Sequence, residues 1–267
     1  MNRLFVRIIR AGIFLLICAN LPGFSGPSCF AGSRLDEVLA RTGRMVEEFW
    51  NQIPYFDCRE LVTREKVEKK GKVEFRQKLE FDYVALTRFH DGELTVEELR
   101  LPLKKAGPET DVPPLLETNG FPSLLLIFHP RYRPDYRFQM EDAGLDIKGS
   151  LRIRFEHISG ADSTSAVMIQ GKAYALDLQG IALIDRESGA IQKISASLIS
   201  PMKDINVDAF AAEVTYELRH LSSDPEPRWL PSKAMIDLGT SSQHWRNVHL
   251  YSAYRRFVVE AQEVAGK

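Results

Sequence analysis

Residues 73 to 85 read VEFRQKLEFDYVA, and the two parities of this stretch carry different chemistry. The odd positions are Val73, Phe75, Gln77, Leu79, Phe81, Tyr83 and Ala85, while the even positions from 74 to 82 are Glu, Arg, Lys, Glu and Asp. A period of two held over thirteen residues gives an extended strand one dry and one wet face. Strands of a doubly wound parallel sheet are covered on both faces and read as unbroken apolar runs, so this pattern calls for an antiparallel sheet. The same split recurs in 147 to 157, where Ile147, Leu151, Ile153 and Phe155 alternate with Lys148, Ser150, Arg152, Arg154 and Glu156. Further strands are expected near 56–68, 93–101, 135–141, 165–177, 180–185, 190–199, 208–221, 229–238 and 245–260. Lys70-Gly71, Asp91-Gly92, Gln179-Gly180 and Ser188-Gly189 fall between these runs and read as hairpin turns. The sum is one large, curved, antiparallel sheet.

Two segments break the strand pattern. From Ser33 to Ile53, Leu35, Val38, Leu39, Thr42, Met45, Val46, Phe49, Trp50 and Ile53 recur at helical spacing and make one apolar stripe. Ser33 with Asp36 resembles a capping box, and Pro54 stops the helix. The second segment, 102–135, begins as a Pro-rich loop and then places Leu124, Leu125, Leu126, Ile127 and Phe128 between Pro122 and Pro130. Fenced by prolines, this run suits about two helical turns with Pro122 in the first. Being apolar on every side, it either fills the interior of the sheet or meets a greasy guest.

The chain opens with Arg3, Arg7 and Arg10, an apolar run from Ala11 to Ala19, and Cys29-Phe30-Ala31. Basic end, short apolar middle and small-residue site are the parts of a secretory leader cleaved after Ala31. The expectation is an exported, periplasmic protein with residues 32–267 as a single domain. Anchoring as a lipoprotein through Cys29 is the alternative, although Gly26 stands where such a signal wants an aliphatic residue. Cleavage would leave Cys58 as the one thiol, read as a small buried hydrophobe. Lys plus Arg total 35 against 36 Asp plus Glu, so no positive field gathers nucleic acid.

GIALIDRESGAIQK, residues 180 to 193, has the look of either an acidic cation loop or a hairpin. Calcium takes six to eight oxygen ligands, and the loop offers Asp185, Glu187 and Ser188. An Asp that bonds its own backbone and a Gly that tolerates positive φ are turn chemistry, which favours the hairpin. The histidines His90, His129, His157, His220, His244 and His249 are scattered, with no H-E-x-x-H and no G-x-S-x-G. His244 and His249 are five apart on an expected strand, hence on opposite faces. His157 and His220 have dry-face parity, and the acid pairs Glu47-Glu48 and Glu97-Glu98 read as solvated. No catalytic residue, metal or cofactor is expected.

Leader, amphipathic helix, about ten amphipathic strands and an inserted apolar helix together resemble the LolA/LolB-like lipoprotein-carrier superfamily, which also includes RseB-like envelope sensors. GIALIDRESGAIQKISA resembles that group's strand of the type hydrophobic-I-D-x-x-T/S-G followed by a returning strand. WLPSKAMIDL and YSAYRRFVVEA resemble its ending, a Leu-Pro strand before a last aromatic strand. The resemblance spans residues 33 to about 260, with 102–135 as an addition. It implies an α+β fold: a half-open β-barrel curled round a hydrophobic cavity, covered by the N-terminal helix and the short inserted helix. It also implies binding of acyl chains of a lipid or lipoprotein, as carrier or sensor, and the protein is expected to be a monomer. Candidate lining residues are Phe75, Leu79, Phe81, Tyr83, Leu124, Leu125, Leu126, Ile127, Phe128, Ile153 and Phe155. The same residues would serve a solid core equally well. The alternative is a scaffold or assembly factor for another envelope protein, using strand edges and the aromatic run Trp245, Tyr251, Tyr254 and Phe257.

Overall fold

The alternation in 73–85 is realised as one long strand, and its neighbours follow the same rule. A computed structural model describes residues 29–68, 71–90, 93–103, 115–141, 149–169, 171–221 and 226–257. The leader through residue 28, the Asp91-Gly92 turn and most of the Pro-rich loop lie outside the described residues. In chain order the elements are α1 (Cys29–Gln52), β1 (Phe56–Val67), β2 (Val73–His90), β3 (Glu93–Pro102) and α2 (Pro122–Leu126). There follow β4 (Tyr136–Glu141), β5 (Ser150–His157), β6 (Ala166–Ile169), β7 (Lys172–Ala175) and β8 (Leu178–Asp185). The last four are β9 (Ile191–Leu198), β10 (Ala209–Arg219), β11 (Arg228–Gly239) and β12 (His244–Arg256).

Among the described residues ten strands form one antiparallel sheet in the order β3-β2-β1-β12-β11-β10-β9-β8-β5-β4. Its two edges, β3 and β4, do not pair, so the sheet is a half-open barrel rather than a closed one. The first strand and the last are neighbours in its interior, paired from Phe56 opposite Arg256 to Val67 opposite His244 with a register shift between Asp57 and Arg59. No helix among the described residues is long and apolar enough to cross a membrane.

Burial follows the parity. In β2 the dry positions Phe81, Tyr83 and Ala85 are buried while Glu74, Arg76 and Lys78 are exposed. Toward the start of the strand Phe75 and Leu79 are half-buried only. In α1 the expected stripe buries Val38, Leu39, Thr42, Val46 and Trp50, with Leu35, Met45 and Phe49 half-buried on its flank. A 3-10 turn at Ile53–Tyr55, with Pro54 inside it, ends the helix as expected. The capping box is corrected: α1 begins at Cys29, so Ser33 lies within the helix, not at its start.

Leu124 to Phe128 fill the interior. Each is 8% exposed or less, Ile127 and Phe128 being fully covered. Pro122 sits in the first turn of α2, and i to i+3 bonds from Ile127, Phe128 and His129 carry the turn beyond Leu126. The Phe128 ring meets Phe138 at 5.2 Å and Phe155 at 6.0 Å.

The stretch 165–177 is not one strand. It is the β6–β7 hairpin, reversed at Gly171, whose φ of +77° is open to glycine without strain. Gln179-Gly180, read as a turn, lies inside β8, with Gly180 opposite both Phe155 and Ala196. The 185–190 turn is as expected. Asp185 Oδ1 accepts from the backbone of Glu187 (3.2 Å) and Ser188 (2.8 Å) and from the Ser188 hydroxyl (2.8 Å). Burial raises the pKa of this carboxyl, but those bonds outweigh it and hold it below its ordinary value.

Cys58, 3% exposed, faces Tyr83 across the β1–β2 pair. Burial pushes its thiol up to about 12; a hydrogen bond from Tyr254 opposes the rise, and Glu60 and Asp57 add to it. Thiolate is the reacting species. With an ordinary thiol near ~8.5, native Cys58 carries far less thiolate near neutral pH. Alkylation with iodoacetamide at pH 8, followed on the Cys58 peptide by mass spectrometry, is expected to be slow until denaturant is added. Equal rates in native and unfolded protein would contradict this.

Candidate functional site

A cleft of about 300 Å³ lies between the end of α1 and the β9–β11 face of the sheet. From α1 it receives Met45, Val46 and Phe49, and beyond the helix Ile53 and Phe56. α2 supplies Leu125, and the sheet supplies Ile191, Tyr216, Trp229 and Leu230. These side chains meet here because α1 crosses the concave side with its stripe inward and its flank, Met45 and Phe49, toward β11. Met45, Phe49 and Trp229 are half-buried, leaving apolar surface on the void.

The mouth is polar. Glu48, Gln52, Glu226 and Arg228 line it. Gln52 Nε2 donates to Glu48 at 3.0 Å and its carbonyl accepts from Arg228 Nη1, which ties the last turn of α1 to the start of β11. The Tyr216 ring belongs to the wall, while its hydroxyl is sealed from solvent without a hydrogen-bond partner. Burial alone drives that phenol's pKa far above its ordinary value, so it stays protonated.

A second cluster lies where β3, β2, β1 and β12 run side by side. Glu60 of β1 is fully buried and accepts two bonds from Arg100 of β3, Nε to Oε2 at 2.6 Å and Nη2 to Oε1 at 3.0 Å. His249 Nδ1 of β12 lies 2.7 Å from Glu60 Oε1, and its Nε2 lies 2.8 Å from Thr118 Oγ1. Asn247 Nδ2 donates to Thr118 Oγ1 at 2.9 Å and to the Leu116 carbonyl at 2.8 Å. Glu98 accepts from the Tyr83 hydroxyl at 2.6 Å and the Gly120 backbone at 3.0 Å. A neutral His249 satisfies this chain in one direction: Asn247 to Thr118, Thr118 to Nε2, and Nδ1–H to an ionised Glu60. Burial raises the Glu60 pKa, but the bonds from His249 and Arg100 outweigh it and hold it below the usual glutamate value.

The cluster fastens the segment 115–121 to the sheet, and that segment ends in Phe121. Phe121 stacks on Trp50 at 6.2 Å and meets Phe49 edge-on at 5.9 Å, so the fastening sets the position of a cleft wall. Thr118, His249 and Glu60 stand in the order of a hydrolytic triad. Thr118 Oγ1, however, also accepts from Asn247, the Gly120 N–H is taken by Glu98, and Thr118 does not line the cleft beside α1. The arrangement works as a clasp.

Of the residues anticipated as lining, Leu125 is in the wall of the cleft. Leu124, Leu126, Ile127, Phe128, Phe81, Tyr83, Ile153 and Phe155 are buried in the interior, and Phe75 and Leu79 lie half-buried near the start of β2. Glu98 is a correction: its side chain is 3% exposed, whereas that of Glu97 is 46% exposed. Strand parity explains the contrast, since Glu98 shares the inward face with Arg100. In the aromatic run, Tyr251 is 2% exposed and belongs to the core. Met45, Phe49 and Trp229 were not singled out as lining; for Met45 and Phe49 the signal was the width of the α1 stripe, broader than one core contact needs, whereas Trp229 stands on β11.

The chain is similar in fold to solved structures. One is a DUF1329 family protein from Desulfovibrio piger ATCC 29098, at 10% identity and TM-score 0.43, covering 85% of this chain and 94% of that one. Another is described as an outer membrane lipoprotein-sorting protein domain from Vibrio parahaemolyticus, at 9% identity and TM-score 0.35, covering 85% and 95%. No family model matches the sequence, and no curated protein is similar to it. At these values the likeness says nothing about the chemistry of the cleft.

Proposed function

We propose that this is an exported, non-catalytic binding protein of the cell envelope that holds a hydrocarbon chain of a lipid or lipidated protein in the cleft beside α1. The observation that carries this reading is apolar surface left uncovered in a concavity: Met45, Phe49 and Trp229 are half-buried around a void. Small-molecule sites are concave and mostly apolar with a few polar groups at the edge. Covering about 250 Å² of hydrocarbon yields roughly 6 kcal/mol before association costs. Leu125 then touches the guest. The leader with Arg3, Arg7 and Arg10 supports delivery across a membrane.

The test is titration with a fluorescent fatty acid, together with mass spectrometry of organic extracts from gently purified protein. Met45→Trp, at a half-buried wall position, is expected to fill the cleft and weaken binding at least about tenfold, 1.4 kcal/mol, with little change in Tm. Equal uptake by variant and parent, or a clean extract with no uptake by either, would overturn the proposal.

A second reading rests on β3. It is an edge strand, and its outward Leu99 and Leu101 are 48% and 68% exposed. Such an edge accepts a strand from a partner protein. A clean extract with no uptake would leave this reading ahead.

A further inference from the structure

We infer that the guest is a single unbranched chain, as in a free fatty acid or a one-chain phospholipid, and that lipids with two or three chains are excluded. The inference rests on the binding role proposed above and concerns the size of that same cleft.

The space is small. The cleft offers about 300 Å³, the lower end of the range for small-molecule sites. A methylene occupies about as much room as a water molecule, roughly 30 Å³, so the cleft takes on the order of ten chain carbons. Two chains would need twice that room and three would need three times.

Among the described residues the region next to the cleft is packed core. The concave side beyond the cleft is occupied by the protein's own apolar side chains: Ile127, Phe128, Ile153 and Phe155 are each fully buried. Leu125, 3% exposed, stands between that filled region and the cleft. The mouth is narrowed in the same sense. Gln52 is held by Glu48 on its own helix and by Arg228 on β11, so a polar bridge joins the two sides through which a guest enters.

A site of fixed length leaves a signature in a homologous series. Each methylene covered is worth ~0.8 kcal/mol, about a fourfold gain in affinity, until the chain outgrows the cleft. Saturated fatty acids from about six to about sixteen carbons, titrated by displacement of a fluorescent fatty acid, are expected to gain about fourfold per carbon and then level off at roughly ten. Native mass spectrometry should count one ligand per protein. A one-chain phospholipid should compete within about tenfold of the fatty acid of equal chain length if the head stays outside. Preference for either ligand identifies the source of the chain. A two-chain phospholipid and a three-chain lipopeptide should compete at least about a hundredfold less well. Leu125→Ala removes part of the inner wall and should move the plateau to longer chains. If that variant does not fold, the series on the parent protein decides alone.

Equal or better competition by the multi-chain lipids, or affinity that climbs without a plateau, overturns the inference. If multi-chain lipids bind and Met45→Trp abolishes their binding, the proposed function stands and only the single-chain limit falls. If no chain of any kind binds, both fall.

Discussion

Replacing Glu60 with alanine is expected to destabilise the protein by about 3–5 kcal/mol, the range for removing one partner of a buried ion pair. The reason is the state of the groups left behind. Arg100, whose side chain is 20% exposed, loses both bonds to Glu60, and His249, 1% exposed, loses the acceptor for its Nδ1–H. At ~2–4 °C per kcal/mol for a domain of this size, Tm should fall by roughly 10 °C or more. Thr118 and Phe121 should loosen with it, since His249 is one of the links, beside Asn247 and Glu98, between that segment and the sheet. Glu60→Gln keeps an acceptor but not the charge and should cost less. Its comparison with the parent also has a definite pH dependence. The folded-state pKa of Glu60 is depressed, so its ionisation contributes stability above the unfolded value, roughly 4.3, and that contribution is lost as pH falls through the folded-state pKa. Urea denaturation at pH 7 should separate parent and Glu60→Gln, and the gap should narrow under acid. A gap that widens on acidification, or an alanine variant as stable as the parent, would contradict the buried clasp.

Gly180→Ala should be the most damaging conservative change in the sheet. A Cβ at that position would lie 1.9 Å from the Ser195 carbonyl oxygen, 2.6 Å from Phe155 Cζ and 2.9 Å from Ala196 Cα. Two of the three obstacles are backbone, so rotating a side chain does not relieve them. The Phe155 ring occupies the face that glycine leaves vacant, as aromatics do over strand glycines. Adding one methyl must therefore separate β8 from β9 and displace Phe155, whose ring packs on Phe128. Overpacking in a well-filled core costs about 1–3 kcal/mol and occasionally more, and displaced backbone puts this case at about 3 kcal/mol or above. Gly239→Ala is the control. In β11 the nearest atom to its Cβ would be Ala209 Cβ at 3.7 Å, an ordinary contact. Chemical denaturation of the pair should show a large loss for the first and a change of about 0.5 kcal/mol or less for the second. Similar losses for both would mean that β8 and β9 yield more easily than the packing implies.

Much of the architecture could be read from local pattern. Period two in 73–85 and helical spacing from Leu35 to Ile53 are each decided within a dozen or so residues, and both elements form as read. Gly180 was misread because a Gln-Gly pair between apolar runs looks the same whether it turns the chain or lets a ring approach. Nothing local distinguishes the two, for the ring comes from Phe155 on another strand. The clasp was invisible for the same reason on a larger scale. Glu60 and His249 stand 189 residues apart and touch only because β1 and β12 pair, so no motif announces them. Phe75 and Leu79 had the right parity, but parity fixes the face and not how far along the strand the cover extends. Among the lining candidates only Leu125 meets the cleft, whereas Met45 and Phe49 reach it from the flank of a stripe whose centre serves the core.

The meeting of β1 with β12 has a kinetic side. β1 to β3 and β4 to β11 each grow by pairing of strands close in sequence apart from the step over β6 and β7, but β1 stays an open edge until β12 arrives to lie between the two halves. Closing a loop that spans about two thirds of the chain or more is slow, and an unfinished edge invites pairing with other molecules. A nascent or partly unfolded copy is therefore most prone to aggregate at β1, and the C-terminal strand acts as the seam whose arrival ends that risk.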